Sequence, residues 1–156
     1  MRAKPLARRG ISGLALLALW AWASPAPAAA ADRASIEATL QRYVSAVKAM
    51  DARTVASLFT SDGELLEPEM APLRGPDAIR RFLGSFGPDV HVEDAAMTAT
   101  SLQVWGKDAL QWGTYRQTVA AGGKPASEYT GRFVAQWARQ RDGRWLLRRL
   151  LVQPAP

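Results

Sequence analysis

Cysteine is absent from this chain of 156 residues, and histidine occurs once, at His91. The first absence excludes a disulfide scaffold, a Cys-ligated zinc, an iron–sulfur cluster and a thiol nucleophile. The second excludes any site built from two or more histidines. The chain contains no Gly-x-Gly-x-x-Gly, P-loop, Gly-x-Ser-x-Gly or His-Glu-x-x-His, which disfavours nucleotide, serine-hydrolase and zinc-protease chemistry. One His among scattered acids gives no metal-ligand spacing, so neither a metal nor a cofactor is expected.

Long hydrophobic runs are also scarce. The one that stands out is Ile11 to Ala23, behind Arg2, Lys4, Arg8 and Arg9 and ahead of the small-residue stretch Ser24 to Ala31. Thirteen apolar residues are short for a bilayer span. The order of positive, apolar and small segments is that of a secretory signal, with cleavage expected between about residues 23 and 31. Residues 1–31 are therefore read as a signal peptide and 32–156 as a single domain, periplasmic or secreted, with no stable membrane insertion after cleavage. Arg8-Arg9 leaves the Sec and twin-arginine routes both open. The formal charge of +6 comes from 20 basic and 14 acidic residues, and four of the bases lie in the leader. The remaining balance, 16 − 14 = +2, does not call for a nucleic-acid partner.

The domain begins with helical spacing: Ile36, Leu40, Tyr43, Val44 and Val47 share one face. Asp51 is an N-cap candidate for a second short helix with Val55, Leu58 and Phe59 inward, and Ser61-Asp62-Gly63 reads as its stop. A short extended run, Glu64 to Glu67, ends at Pro68. Gly75-Pro76-Asp77 starts a third helix with the stripe Ile79, Phe82, Leu83 and Phe86. Beyond Pro88 the pattern alternates. Val90 to Trp105 is long enough to require a bulge near Asp94–Ala96. Ala109–Val119, Glu128–Arg139 and Trp145–Gln153 follow as hairpin-linked strands, the last pair joined at Asp142-Gly143. Segregated helices and strands mean α+β. Long bent strands should curl into a cone-shaped, mostly antiparallel sheet, with the three N-terminal helices covering its concave face. Such a cone leaves an apolar cavity, the usual place for a small-molecule site.

Leu40-Gln41-Arg42-Tyr43-Val44, Asp51, Leu58-Phe59, Leu66-Glu67-Pro68 and Arg74-Gly75-Pro76-Asp77-Ala78-Ile79 together resemble the nuclear transport factor 2-like superfamily, most of all its SnoaL-like secreted members. The resemblance spans nearly all of residues 33–153 and implies the same α+β cone. It extends distantly to ketosteroid isomerase. Tyr43 falls where that enzyme has its oxyanion-stabilising Tyr, and Glu67 falls where it has its proton-shuttling acid. Where the enzyme carries a further acid on a late strand, this chain reads Gly131-Arg132-Phe133-Val134-Ala135 and has none.

The catalytic candidates are thus Glu67 as general base and Tyr43 as hydrogen-bond donor to a developing oxyanion. A carboxylate in an apolar cone has its charged form disfavoured. Equally, Glu67 could be a surface acid at a strand end, and Tyr43 a packing residue. Leu65, Phe82, Trp112, Phe133 and Trp137 are expected to line the ligand pocket, with Trp112 facing Phe133 and Trp137 across a hairpin. Asp94 is either a second cavity carboxylate or a bulge acid on the surface, and His91 is read as a polar surface residue. The arginines of the last hairpin, Arg139, Arg141, Arg144, Arg148 and Arg149, read as a solvated tip. Three functions remain open: a carrier of a small hydrophobic molecule, a cofactor-free isomerase, cyclase or dehydratase, and a protein-interaction module. Outward apolar residues such as Val134 and Leu146 point to a homodimer packed through the sheet.

Overall fold

The computed structural model describes residues 27–155; the charged and apolar segments read above as a signal peptide lie outside them. The elements are α1 (Pro27–Lys48), α2 (Ala52–Ser57), β1 (Phe59–Leu66), β2 (Leu73–Arg74), α3 (Gly75–Leu83), β3 (Val90–Trp105), β4 (Asp108–Ala121), β5 (Ser127–Arg139) and β6 (Trp145–Pro154). The strands form one six-stranded sheet in the order β2-β1-β6-β5-β4-β3. All neighbours are antiparallel except β1 and β6, which run parallel. This is the expected α+β cone.

Local signals account for most of the helix ends. Asp51 caps α2, accepting from the Thr54 amide at 3.0 Å and the Thr54 hydroxyl at 2.6 Å, which satisfies an otherwise unpaired first-turn donor. Helix α3 starts at Gly75-Pro76 and closes at Gly84. The described part of α1 runs from Pro27, ahead of the apolar stripe, through Ala28–Ala31, which are strong helix formers. It ends at Lys48, and two residues on Met50, with a φ of 54°, takes the left-handed turn that stops a helix.

One expected boundary is wrong. Ser61-Asp62-Gly63 does not terminate α2; it lies inside β1, where the pairing with β6 slips between Phe59 and Glu64. The Thr60 hydroxyl donates to Asp62 at 2.8 Å across this irregularity, and a side chain at Gly63 would meet Phe59 Cβ at 2.9 Å. The residues that resemble a helix stop are those that let the strand bulge. In β3 the register shifts between Val92 and Asp94, just ahead of the expected place, and again between Ala99 and Ser101. These bulges let a 16-residue strand bend into the cone.

The two ends of the cone differ. At the narrow end, Trp137, Trp145, Leu147 and Ala109 are fully buried beneath Ile36 and Leu40 of α1. Asp32, near the start of α1, accepts from Trp145 Nε1 at 3.1 Å and pairs with Arg139 at 3.3 Å, fastening the helix to the β5–β6 hairpin. Gln111, 0% exposed, accepts from Trp137 Nε1 at 3.1 Å. At the wide end the second half of α1 lies over space.

Candidate functional site

That space is a cavity of about 510 Å³, within the ~300–1,000 Å³ usual for small-ligand sites. Its wall is mainly aliphatic: Val44 and Val47 from α1, Leu83 from α3, Val92 and Met97 from β3, Val119 from β4 and Val152 from β6. Tyr43 and Glu67 both line it.

Tyr43 is carried inward by the stripe of α1, one turn beyond Leu40, and is 8% exposed. Its ring meets Phe59 edge-on, with centroids 6.3 Å apart. Glu67 is the first residue after β1, and period-two alternation turns it inward like Leu65. Burial pushes its carboxyl pKa up, and among the described residues neither a cation nor a hydrogen bond offsets that desolvation. Burial also pushes the Tyr43 phenol up, and the Glu67 charge pushes it further. The phenol therefore stays protonated beside the carboxylate at neutral pH and is available as a donor.

A third polar group had not been singled out. Tyr115 of β4 lines the same cavity, and its pKa is raised by burial and then by the Glu67 charge. Its place on the face of Gln111 and Gly113 was legible from alternation, but nothing in its neighbourhood marked it as functional. Gln117, Arg116 and Tyr129, the last 54% exposed, are the other polar residues of the wall. Arg116 is engaged by Asp94 at 2.8 Å.

The expected pocket residues lie elsewhere. Phe133, Trp137 and Leu65 are 1%, 0% and 1% exposed and belong to the core that fills the cone beside the cavity. They point inward as expected, but the narrow end closes on them and leaves no space to line. Phe82 stacks edge-on against Phe86 at 5.3 Å, and it is Phe86 that borders the cavity. Trp112 does not face Phe133 and Trp137: its partner across the ladder is Val134, which puts it on the convex face. Asp94 is not a second cavity carboxylate; at the β3 bulge it pairs with Arg116 and with Lys48 at 3.5 Å. His91 borders an adjoining hollow next to Lys48. Among the described residues no cluster of three or more acidic or histidine side chains offers a metal site.

A curled sheet capped by helices, with a carboxylate and three phenols lining a mainly aliphatic cavity, makes a cone-fold domain. The SnoaL-like domain matches residues 28–150, and the chain belongs to that family, within the nuclear transport factor 2-like superfamily. A ketosteroid isomerase-like protein from Erwinia carotovora superposes with a TM-score of 0.70 at 21% identity, covering 79% of this chain and 96% of that one. ActVI-ORFA from Streptomyces coelicolor gives 0.67 at 17% identity, covering 78% and 96%. A nuclear transport factor 2-like superfamily protein from Salmonella enterica gives 0.71 at 16%, covering 82% and 94%. These likenesses establish the fold alone. A search of curated proteins returns no match.

Proposed function

We propose that this protein is a cofactor-free proton-transfer enzyme of the isomerase, cyclase or dehydratase type, acting on a small, largely apolar carbonyl compound. The observation that carries the reading is one relationship: a carboxylate with no partner among the described residues and a buried phenol share a mainly aliphatic cavity. Glu67 takes a proton from the carbon next to the carbonyl, whose acidity the apolar surroundings bring closer to that of a desolvated carboxylic acid. The C–H electron pair becomes a C=C bond and the carbonyl oxygen takes the charge. Tyr43 donates to that oxygen, and Glu67 returns the proton to carbon. No external oxidant or reductant is needed. One structural neighbour is described as ketosteroid isomerase-like, which is compatible with this chemistry.

A carrier without chemistry is the second reading. It uses the aliphatic wall but gives the partly desolvated Glu67 no role, and a half-buried carboxylate without a partner costs stability. We also propose export to the periplasm or beyond, on the pattern of residues 2–31, and a homodimer packed through the convex face. There Leu66, Leu151, Val134 and Trp112 form one row across four strands, and Val134 and Leu151 are 39% and 41% exposed. Deuterium uptake from D2O into neutral cyclic ketones tests the catalytic reading. Catalysed uptake by the wild type that is lost in Glu67→Gln supports it; equal uptake by both rejects it.

A further inference from the structure

The structure assigns a second oxyanion donor to this site: Tyr115, seated on Gly131, donates to the carbonyl oxygen of an uncharged ligand alongside Tyr43. The inference rests on the proton-transfer reading above.

The argument starts from two glycines in the middle of long strands, where glycine weakens a sheet unless something needs the room. On β4 and β5 the concave face runs Gly113, Tyr115 against Phe133, Gly131: Gly113 pairs with Phe133 and Tyr115 pairs with Gly131. Each aromatic ring thus stands opposite a residue with no side chain. A Cβ on Gly113 would lie 2.9 Å from Phe133 Cε1, and a Cβ on Gly131 would lie 2.7 Å from Tyr115 Cε1. The Tyr115 ring therefore leans across β5, toward β6 and the end of β1 that carries Glu67. The same Cβ on Gly131 would also meet the Gln153 carbonyl oxygen at 2.0 Å, so the seat is closed to any other residue.

Gly131 opens the very segment where the ketosteroid isomerase resemblance expects an acid and finds Gly131 to Ala135 instead. With no side chain, Gly131 leaves the space that a phenol from the neighbouring strand fills. The two donors are then Tyr43 from the helix layer and Tyr115 from the sheet, with Glu67 near enough for its charge to be felt at both phenols.

This arrangement also selects the ligand. Arg116 is the only cation among the described residues lining the cavity, and Asp94 holds it at 2.8 Å. An anionic ligand would meet Glu67 with no free positive charge to offset it. Two O–H donors and one base suit a neutral molecule whose charge appears only in the transition state.

4-Nitrophenol is a suitable probe, because its phenolate mimics an enolate and absorbs where the neutral phenol does not. Binding is measured in Glu67→Gln, which removes the repelling carboxylate, and in that variant with Tyr115→Phe or Tyr43→Phe added. Tyr115→Phe keeps the ring on Gly131, and an unchanged melting temperature confirms that the fold is retained. The expected result is about a tenfold loss of affinity and a smaller bound phenolate fraction for each phenylalanine variant, and about a 10²-fold slower ketone deuteration for Tyr115→Phe alone. Unchanged affinity and phenolate fraction in Tyr115→Phe, or no binding in any variant, overturns the assignment. The two readings can fail separately. Weakened nitrophenol binding in a protein that deuterates no ketone supports the donor and rejects the catalysis. Deuteration that is lost in Glu67→Gln but unaffected by Tyr115→Phe rejects the donor alone.

Discussion

Glu67 and Tyr43, 24 positions apart in the chain, reach one cavity from the end of β1 and the inner stripe of α1, and burial first, then the carboxylate's charge, raises the pKa of the phenol. The coupling runs through a space walled mainly by aliphatic side chains, where water screens least.

The first consequence concerns stability against pH. Burial raises the Glu67 pKa, so the folded protein keeps this proton to a higher pH than the unfolded chain does. From the ordinary value of about 4.3 up to the raised value, stability falls as pH rises; above it the penalty is constant. Glu67→Gln is therefore expected to be more stable than wild type at neutral pH, by about 1 kcal/mol. The gain should vanish below the ordinary carboxylate value. Urea unfolding at both pH values checks this, and a variant destabilised at neutral pH would show that the carboxylate has a stabilising partner.

Tyr43→Phe removes a hydroxyl whose pKa is set by burial and the Glu67 charge, with no hydrogen bond contributing among the described residues. The ring keeps its contact with Phe59, so the melting temperature is expected to hold. Turnover should fall by about 10²–10³, the effect of removing one oxyanion donor. Loss of folding together with activity would mark Tyr43 as structural.

At the narrow end, Trp137 and Gln111 form a buried pair in which Gln111 Nε2 has no partner. Trp137→Phe leaves both ends of the amide unpaired and is expected to destabilise by about 2–3 kcal/mol. Adding Gln111→Leu removes both orphaned groups and should recover part of that loss, a non-additivity readable in a double-mutant cycle of denaturation midpoints.

The convex row predicts assembly. Sedimentation of the wild type should give twice the protomer mass at tens of micromolar, and Val134→Arg, in the middle of the row, should give the protomer mass. A wild type that sediments as a protomer rejects the dimer.

How much of this was legible in the sequence depends on how local each signal is. The Asp51 cap, the Gly75-Pro76 helix start and the alternation of β4 and β5 follow from neighbours within a few residues, and the structure has them in place. Tyr43 and Glu67 were reachable because stripe and alternation both aim them inward. The pocket wall was not. Phe133, Trp137 and Val152 all face the concave side, yet only Val152 lines the cavity, because the depth at which the core stops filling the cone is set by how α1 crosses the sheet. Trp112 failed for a simpler reason: one residue of register decides the face of every side chain in a strand. Tyr115 was missed because its signal lies in a cross-strand pairing with Gly131, which no sequence window contains.

The central claim is that Glu67 moves a proton on carbon inside the cavity it shares with Tyr43, and deuterium exchange followed by proton NMR tests it most directly. Neutral cyclic ketones in buffered D2O are incubated with wild type and with Glu67→Gln at equal concentration, above the ordinary carboxylate pKa. The account predicts catalysed loss of the signal alpha to the carbonyl with wild type, and only the buffer rate with the folded Glu67→Gln variant. Catalysed exchange that survives intact in Glu67→Gln would contradict it.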